Sequence, residues 1–208
     1  MEIIPSVLAK NEEELAEIKK KLDFYSGPLH IDIGDGQFVS TITVGREEIE
    51  RAFLRQLLDV HLMVSNPGDV IPLWMDIPNL RTIIFHIEST DKAPEIIDTV
   101  IKGNAKLAGV AINPETDLST LNYVINMADV VHVMTVHPGD YGGKFLPAAV
   151  SKIRDIRAKH PTIKISVDGG INKDNIGLLA KVGVSACVVG SAILQSDNPE
   201  QEFKNLSI

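Results

Sequence analysis

Short runs of β-branched and apolar residues alternate along the chain with longer stretches in which apolar positions recur every three to four residues. The short runs predict strands over 2–6, 29–33, 58–64, 82–86, 107–112, 130–136, 163–167 and 186–189, and helix periodicity marks 12–22, 94–102, 148–159 and 173–181. Asn11 followed by Glu14 reads as a helix N-cap with a capping-box partner. Gly103 and Gly183 fall where helix C-termini favour a residue tolerant of positive φ. Eight strands, each followed by a helix or a turn-rich segment, imply parallel β-α units. An open doubly wound sheet shares that alternation, but no Gly-x-Gly-x-x-Gly follows the first strand. Polar residues instead gather at the ends of strands 1, 2, 3, 4, 7 and 8, as a ring of βα loops requires. The fold class is therefore α/β, a single TIM (β/α)₈ barrel. No linker, low-complexity tract or shift in composition divides residues 1–208, so one domain is predicted.

Composition narrows the partners. With 208 residues, 44% hydrophobic and 23% charged, the chain has the make-up of an ordinary soluble domain at the lower size edge of eight-fold barrels. No apolar stretch approaches a membrane span. The N-terminal segment lacks a basic region and a cleavage pattern, so no signal peptide is indicated. A lone cysteine, Cys187, rules out an internal disulfide framework, fits a reducing cytoplasm and reads as packed core. Trp74 and Met75 read as core or as a subunit contact. A net charge of −8 argues against nucleic acid and anionic membrane as partners. It leaves a phosphorylated small molecule open, because backbone N–H groups at helix N-termini hold phosphate inside acidic proteins.

The chemistry lies in residues that strand interiors tolerate poorly. In His30-Ile31-Asp32 the first and third side chains share one face, and in a barrel that face is the interior. An imidazole and a carboxylate there, among expected Ile and Val neighbours, need partners. His61 on the third strand and Asp168 at the end of the seventh supply them. Two histidines and two aspartates suit Zn²⁺, Mn²⁺, Fe²⁺ or Co²⁺. Strands two and seven lie three steps apart around an eight-stranded ring, on the order of 135°. Asp32 and Asp168 are thus expected to face each other across the mouth. That arrangement suits removal of a proton from one face of a substrate and its return to the other, with a metal stabilising the ene-diolate. Gly169-Gly170 and Gly190-Ser191 read as openings of helices that could hold phosphate, and 137–145, with Gly139, Gly142 and Gly143, as a lid over it.

With these residues in hand the chain resembles the ribulose-phosphate 3-epimerase family. The matching blocks are Pro5-Ser6-Val7-Leu8, His30-Ile31-Asp32 continuing to Asp35-Gly36-Gln37-Phe38-Val39, and Thr41 to Gly45. They continue through Asp59-Val60-His61-Leu62-Met63-Val64, Phe85-His86, Gly109 to Pro114, Val133 to Gly139, Val167 to Asn172 and Gly190 to Ile193. They keep the family's order over essentially the whole chain. The resemblance implies a cytoplasmic isomerase of carbohydrate metabolism that interconverts D-ribulose 5-phosphate and D-xylulose 5-phosphate in the pentose phosphate pathway. It implies one divalent metal ion, Zn²⁺ foremost, on His30, Asp32, His61 and Asp168, with Asp32 and Asp168 also the catalytic acid/base pair. Ser6, His61, Met63, His86, Met134, Gly142, Gly143, Gly169, Gly170, Gly190 and Ser191 would then meet the sugar-phosphate substrate, and a homo-oligomer, dimer or hexamer, is expected.

Three departures qualify the resemblance. Gly34 stands where the family usually has a methionine, which predicts a looser site and raises a neighbouring substrate such as allulose 6-phosphate. The lid reads Pro138-Gly139-Asp140-Tyr141-Gly142-Gly143, with Tyr141 at a usual glycine, Gly143 at a usual glutamine, and Lys144 as a compensating charge. Ser40-Thr41 replaces a usual Pro-Asn. A third class of function is a non-catalytic sugar-phosphate-binding homologue that keeps the ligands.

Overall fold

A computed structural model describes residues 1–103, 105–139 and 142–207. Eight parallel strands close into a barrel in sequence order: β1 (Glu2–Val7), β2 (Leu29–Gly34), β3 (Leu58–Met63), β4 (Leu80–His86), β5 (Leu107–Ile112), β6 (Val130–Met134), β7 (Lys164–Asp168) and β8 (Ala186–Val189), with β8 paired back to β1. Around it lie α1 (Glu12–Lys21), α2 (Arg46–Ala52), α3 (Pro67–Trp74), α4 (Ala93–Lys102), α5 (Ala148–Lys159), α6 (Ile176–Lys181), α7 (Ser191–Leu194) and α8 (Pro199–Leu206). Between β5 and β6 the crossover is a 3₁₀ turn, Leu118–Leu121, rather than an α-helix. The predicted TIM barrel is the observed fold.

The alternation of side chains sorts the strands into two environments. Ile31, Ile33, Val60, Leu62, Ile83, Phe85, Val110, Ile112, Val131, Val133, Ile165 and Val167 belong to the apolar layer that the helices cover. Full burial of each such side chain contributes about 1.5–3 kcal/mol, so the layer between strands and helices holds the molecule together. The alternate positions face the axis, and the polar residues Ser6, His30, Asp32, Asp59, His61, Thr82, His86, His132 and Ser166 are all buried. The expectation of an Ile/Val interior holds only in part: Ile4, Ile84, Val130 and Val188 do line the axis, but they share it with this set of buried polar side chains.

Several local readings meet the structure at the level of single turns. Asn11 caps α1 by accepting from the Glu14 N–H at 2.9 Å, although Glu14 reaches back to the N–H of Lys10 rather than of Asn11. Gly183 follows α6 with φ +83°. Gly103 ends α4 at φ −92°, so positive φ is not its reason; a Cβ there would collide with the Met75 side chain. The helix predicted from 173 begins at Ile176, because Asn172 and Asn175 accept backbone N–H groups from Asp174 and Asn172 and hold a turn instead. Gly169-Gly170 consequently leads into that turn and does not itself open a helix. Trp74 and Cys187 are buried core, and burial pushes the Cys187 thiol up to about 12. No helix among the described residues is long and apolar enough to cross a membrane.

Candidate active site

Strand register brings the singled-out side chains together at the C-terminal mouth of the barrel. Asp32 on β2 lies beside His61 on β3, Ser6 on β1 beside His30 on β2, and Met134 on β6 beside Asp168 on β7. Asp32 accepts from the Ser6 hydroxyl at 2.6 Å on Oδ2, while Oδ1 lies 3.0 Å from His61 Nδ1 and 3.4 Å from His30 Nε2. Burial would raise its pKa, but the neighbouring His30 foremost holds it well below the usual carboxylate range. Burial likewise opposes charge on His30, where the neighbouring Asp32 prevails and raises its pKa.

One residue of this centre was not read from the sequence. His132 on β6 stacks on His30 with ring centroids 5.2 Å apart, and its Nε2 lies 3.9 Å from Asp168 Oδ2. One ligand atom from each of His30, His61, His132 and Asp168 lies within 4.8 Å of the other three. The signal for His132 was its spacing: it sits two residues before Met134, so both must face the axis.

The donor set can be tested against a metal. The Nε2 atoms of His30 and His132 are buried without a hydrogen-bond partner. Orphaned polar nitrogens in a protein interior are costly unless a partner such as an ion sits between them. Burial pushes His61 and His132 down to about 4, so both rings are neutral and offer lone pairs at neutral pH. Three imidazoles and a carboxylate, with Asp32 beside them, are donors suited to a borderline divalent ion. The group therefore fits a divalent metal.

A cavity opens above this cluster, lined in part by Ser6, Asp32, Met63, Met134 and Asp168. Its far wall is backbone: Gly142, Gly169, Gly170, Gly190 and Ser191 all face it. Gly142, Gly169 and Gly170 take φ of +75°, +113° and +63°. A Cβ on Gly170 would strike the backbone of Phe145 and Gly143, so this glycine lets the end of the lid segment lie directly on the β7 turn. Three expected substrate contacts lie off the cavity lining: Gly143, and the fully buried His61 and His86, whose Nε2 atoms are 2.9 Å apart. Asp140 and Tyr141 of the lid lie outside the described residues.

The Gly34 departure also has a structural reason. The 35–43 segment folds back onto the end of β2: the Gly34 N–H donates to Thr43 Oγ1, the Thr43 N–H to Gly34 O, and the Gly36 N–H to Thr41 O. A Cβ at position 34 would collide with the Thr41 carbonyl, and Val39 occupies the adjoining space. The absent methionine is thus replaced by packed loop, against the expectation of a looser site.

Comparison with known proteins then fixes the kinship. The profile of the Ribulose-phosphate 3 epimerase family matches residues 2–194. The chain belongs to the ribulose-phosphate 3-epimerase family. It is an enzyme of the epimerase class. Among its relatives, ribulose-phosphate 3-epimerase of Schizosaccharomyces pombe is 33% identical over 98% of this chain and 91% of its own length. The cytoplasmic isoform of Oryza sativa is 36% identical over 98% and 92%, and the Escherichia coli enzyme 32% over 95% and 90%. Solved structures share the barrel at lower identity. A 3-hexulose-6-phosphate synthase from Salmonella typhimurium gives a TM-score of 0.73 at 18% identity, covering 100% of this chain and 97% of that one. KGPDC from Streptococcus mutans in complex with D-R5P gives 0.72 at 12%, covering 99% and 94%. These two speak for the fold alone.

Proposed function

We propose that the enzyme interconverts D-ribulose 5-phosphate and D-xylulose 5-phosphate by moving the C3 proton between Asp32 and Asp168. The observation that carries the reading is the placement of these two carboxylates on strands three steps apart in the closed barrel, both lining one cavity. Asp32, kept ionised by its neighbours, takes the proton from one face of C3 and the electron pair passes into the C2 carbonyl, giving an ene-diolate. Asp168, entering as the acid, returns a proton to the opposite face, and the reverse reaction exchanges the roles. Ser6 orients Asp32 through its 2.6 Å hydrogen bond.

A divalent ion would be held by His30, His61, Asp32 and Asp168, with His132 beside them, and when bound would supply Lewis-acid stabilisation for charge on the substrate oxygens. Backbone N–H groups around Gly142, Gly169, Gly170, Gly190 and Ser191 receive the phosphate, which reconciles a net charge of −8 with an anionic substrate. Met63 and Met134 flank the carbon chain.

Incorporation of solvent deuterium at C3 of ribulose 5-phosphate tests the reading. The enzyme is expected to exchange that position while forming xylulose 5-phosphate, and to favour the pentose over allulose 6-phosphate when both are assayed. Absence of exchange would reduce the protein to a binder, and a several-hundredfold preference for the hexose would replace the substrate. The names of the relatives and the loop filling the space beside Gly34 both support the pentose.

A further inference from the structure

From the metal-ligand cluster a chain of four side chains runs through Asp32 and His61 to His86 and Glu88, two residues that the proposed chemistry does not use. Asp32 Oδ1 lies 3.0 Å from His61 Nδ1; His61 Nε2 lies 2.9 Å from His86 Nε2; His86 Nδ1 lies 3.2 Å from Glu88 Oε2. Both rings are fully buried, and Phe38 packs on His86 with centroids 4.8 Å apart, so neither ring is free to find another partner. At the far end the backbone N–H of Asn113 donates to Glu88 Oε1 at 2.8 Å. Burial would raise the Glu88 pKa, but its hydrogen bonds, that from His86 foremost, hold it low, so Glu88 is a carboxylate and only accepts.

Counting protons decides what this chain does. Two neutral imidazoles carry one N–H each, and the chain has three gaps. One gap must stay empty, unless a charged imidazolium is buried there at considerable cost. If Glu88 is satisfied, His86 carries its proton on Nδ1 and presents a bare Nε2. The 2.9 Å approach of the two Nε2 atoms needs a proton between them, so His61 carries its proton on Nε2 and its Nδ1 lone pair faces the Asp32 carboxylate. The empty gap falls between His61 and Asp32, where two acceptors 3.0 Å apart call for a cation.

We infer that Glu88 is a positioning residue: through His86 it fixes His61 in the Nε2–H tautomer and leaves Nδ1 bare for the metal ion. This rests on the metal reading given above and extends it beyond the ligands to a carboxylate two histidines away. Outer partners that set ligand tautomers are worth about 10- to 100-fold in metal affinity.

Glu88→Gln tests it, because the neighbours dictate how the amide sits. The Asn113 N–H demands an oxygen, so the glutamine oxygen turns to Asn113 and its NH₂ faces His86 Nδ1. That reverses the chain: His86 donates from Nε2, His61 accepts on Nε2, and the His61 Nδ1–H fills the gap to Asp32. Three protons then fill three gaps with no cation needed. Zn²⁺ affinity by chelator competition is expected to fall about 10- to 100-fold. The ¹⁵N signature of His61 in the metal-free variant should report Nδ1–H, and the metal-free variant should unfold at the same or a higher temperature than metal-free wild type. A merely structural glutamate predicts the opposite, a less stable variant with an unchanged His61 tautomer, and that result overturns the proposal. So does Zn²⁺ affinity within twofold of wild type. If wild type itself binds neither Zn²⁺ nor Co²⁺, the metal reading fails and this inference goes with it.

Discussion

Asp168 ends β7 with a partly exposed carboxylate facing the cavity, and an asparagine there keeps the shape while removing a proton carrier. Asp168→Asn should lower kcat by about 10²- to 10⁴-fold, the usual worth of general acid–base catalysis, with the circular dichroism spectrum unchanged. Near-normal turnover would rule out the two-carboxylate mechanism. His132 gives a different signature. Its Nε2 has no hydrogen-bond partner in the protein, whereas its Nδ1 lies 2.7 Å from the buried Ser166 hydroxyl, so leucine removes an orphan but also leaves Ser166 unpaired. The His132→Leu protein should bind Zn²⁺ more than about tenfold more weakly, as expected of losing a donor rather than an outer partner. Equal Zn²⁺ affinity would remove His132 from the centre. His30, Asp32, His61 and Asp168 were legible in the sequence because each interrupts an apolar strand or precedes a Gly-Gly turn. His132, in Val130-Val131-His132-Val133-Met134, obeys the same rule and was recoverable from its parity with Met134. The link from His61 to Glu88 was not, since it depends on which nitrogen faces which neighbour across β3 and β4.

At the scale of elements, the end of β2 shows how a loop takes over the work of a side chain. The 35–43 segment returns to Gly34 through two hydrogen bonds, is closed by a third from the Gly36 N–H to Thr41 O, and sets Val39 beside Gly34. Asp35 ties it to the turn after β3 by accepting from the Ser65 N–H at 2.7 Å. Gly34→Ala puts a methyl into the Thr41 carbonyl. Overpacking of this kind costs about 1–3 kcal/mol, and at roughly 2–4 °C per kcal/mol the midpoint should fall by several degrees. An unchanged thermal midpoint would mean the loop yields freely, and the account of Gly34 would be wrong. Strands and their order were legible because a buried parallel strand is a short apolar run, and eight of them in alternation with helices leave little choice of fold. Element ends were less so. At 172–175, side-chain oxygens capture the N–H groups that a helix would use, and at Gly103 a neighbour from another element, Met75, decides the residue.

For the whole molecule, the polar axis makes the barrel dependent on what sits at its centre. At the base, Arg81 pairs with Asp59 and Glu2, so the polar groups of that end find partners within the chain. At the top, donors from β2, β3, β6 and β7 converge with two nitrogens unpaired. A cation there joins strands from opposite sides of the ring, a cross-link that the unfolded chain does not offer. A ligand that binds only the folded state stabilises it by RT ln(1 + [L]/Kd), about 4 kcal/mol at a thousandfold excess over Kd. At roughly 2–4 °C per kcal/mol for a chain of this size, stripping the metal with a chelator should lower the thermal midpoint by about 8–16 °C. Adding back Zn²⁺ should restore it, and the restoration should be smaller in His132→Leu, which retains the fold but loses one donor. A midpoint indifferent to chelator and to added Zn²⁺, Fe²⁺, Mn²⁺ or Co²⁺ would show that the converging histidines are satisfied by protons alone. The ene-diolate would then have to be stabilised by the cavity's own hydrogen-bond donors.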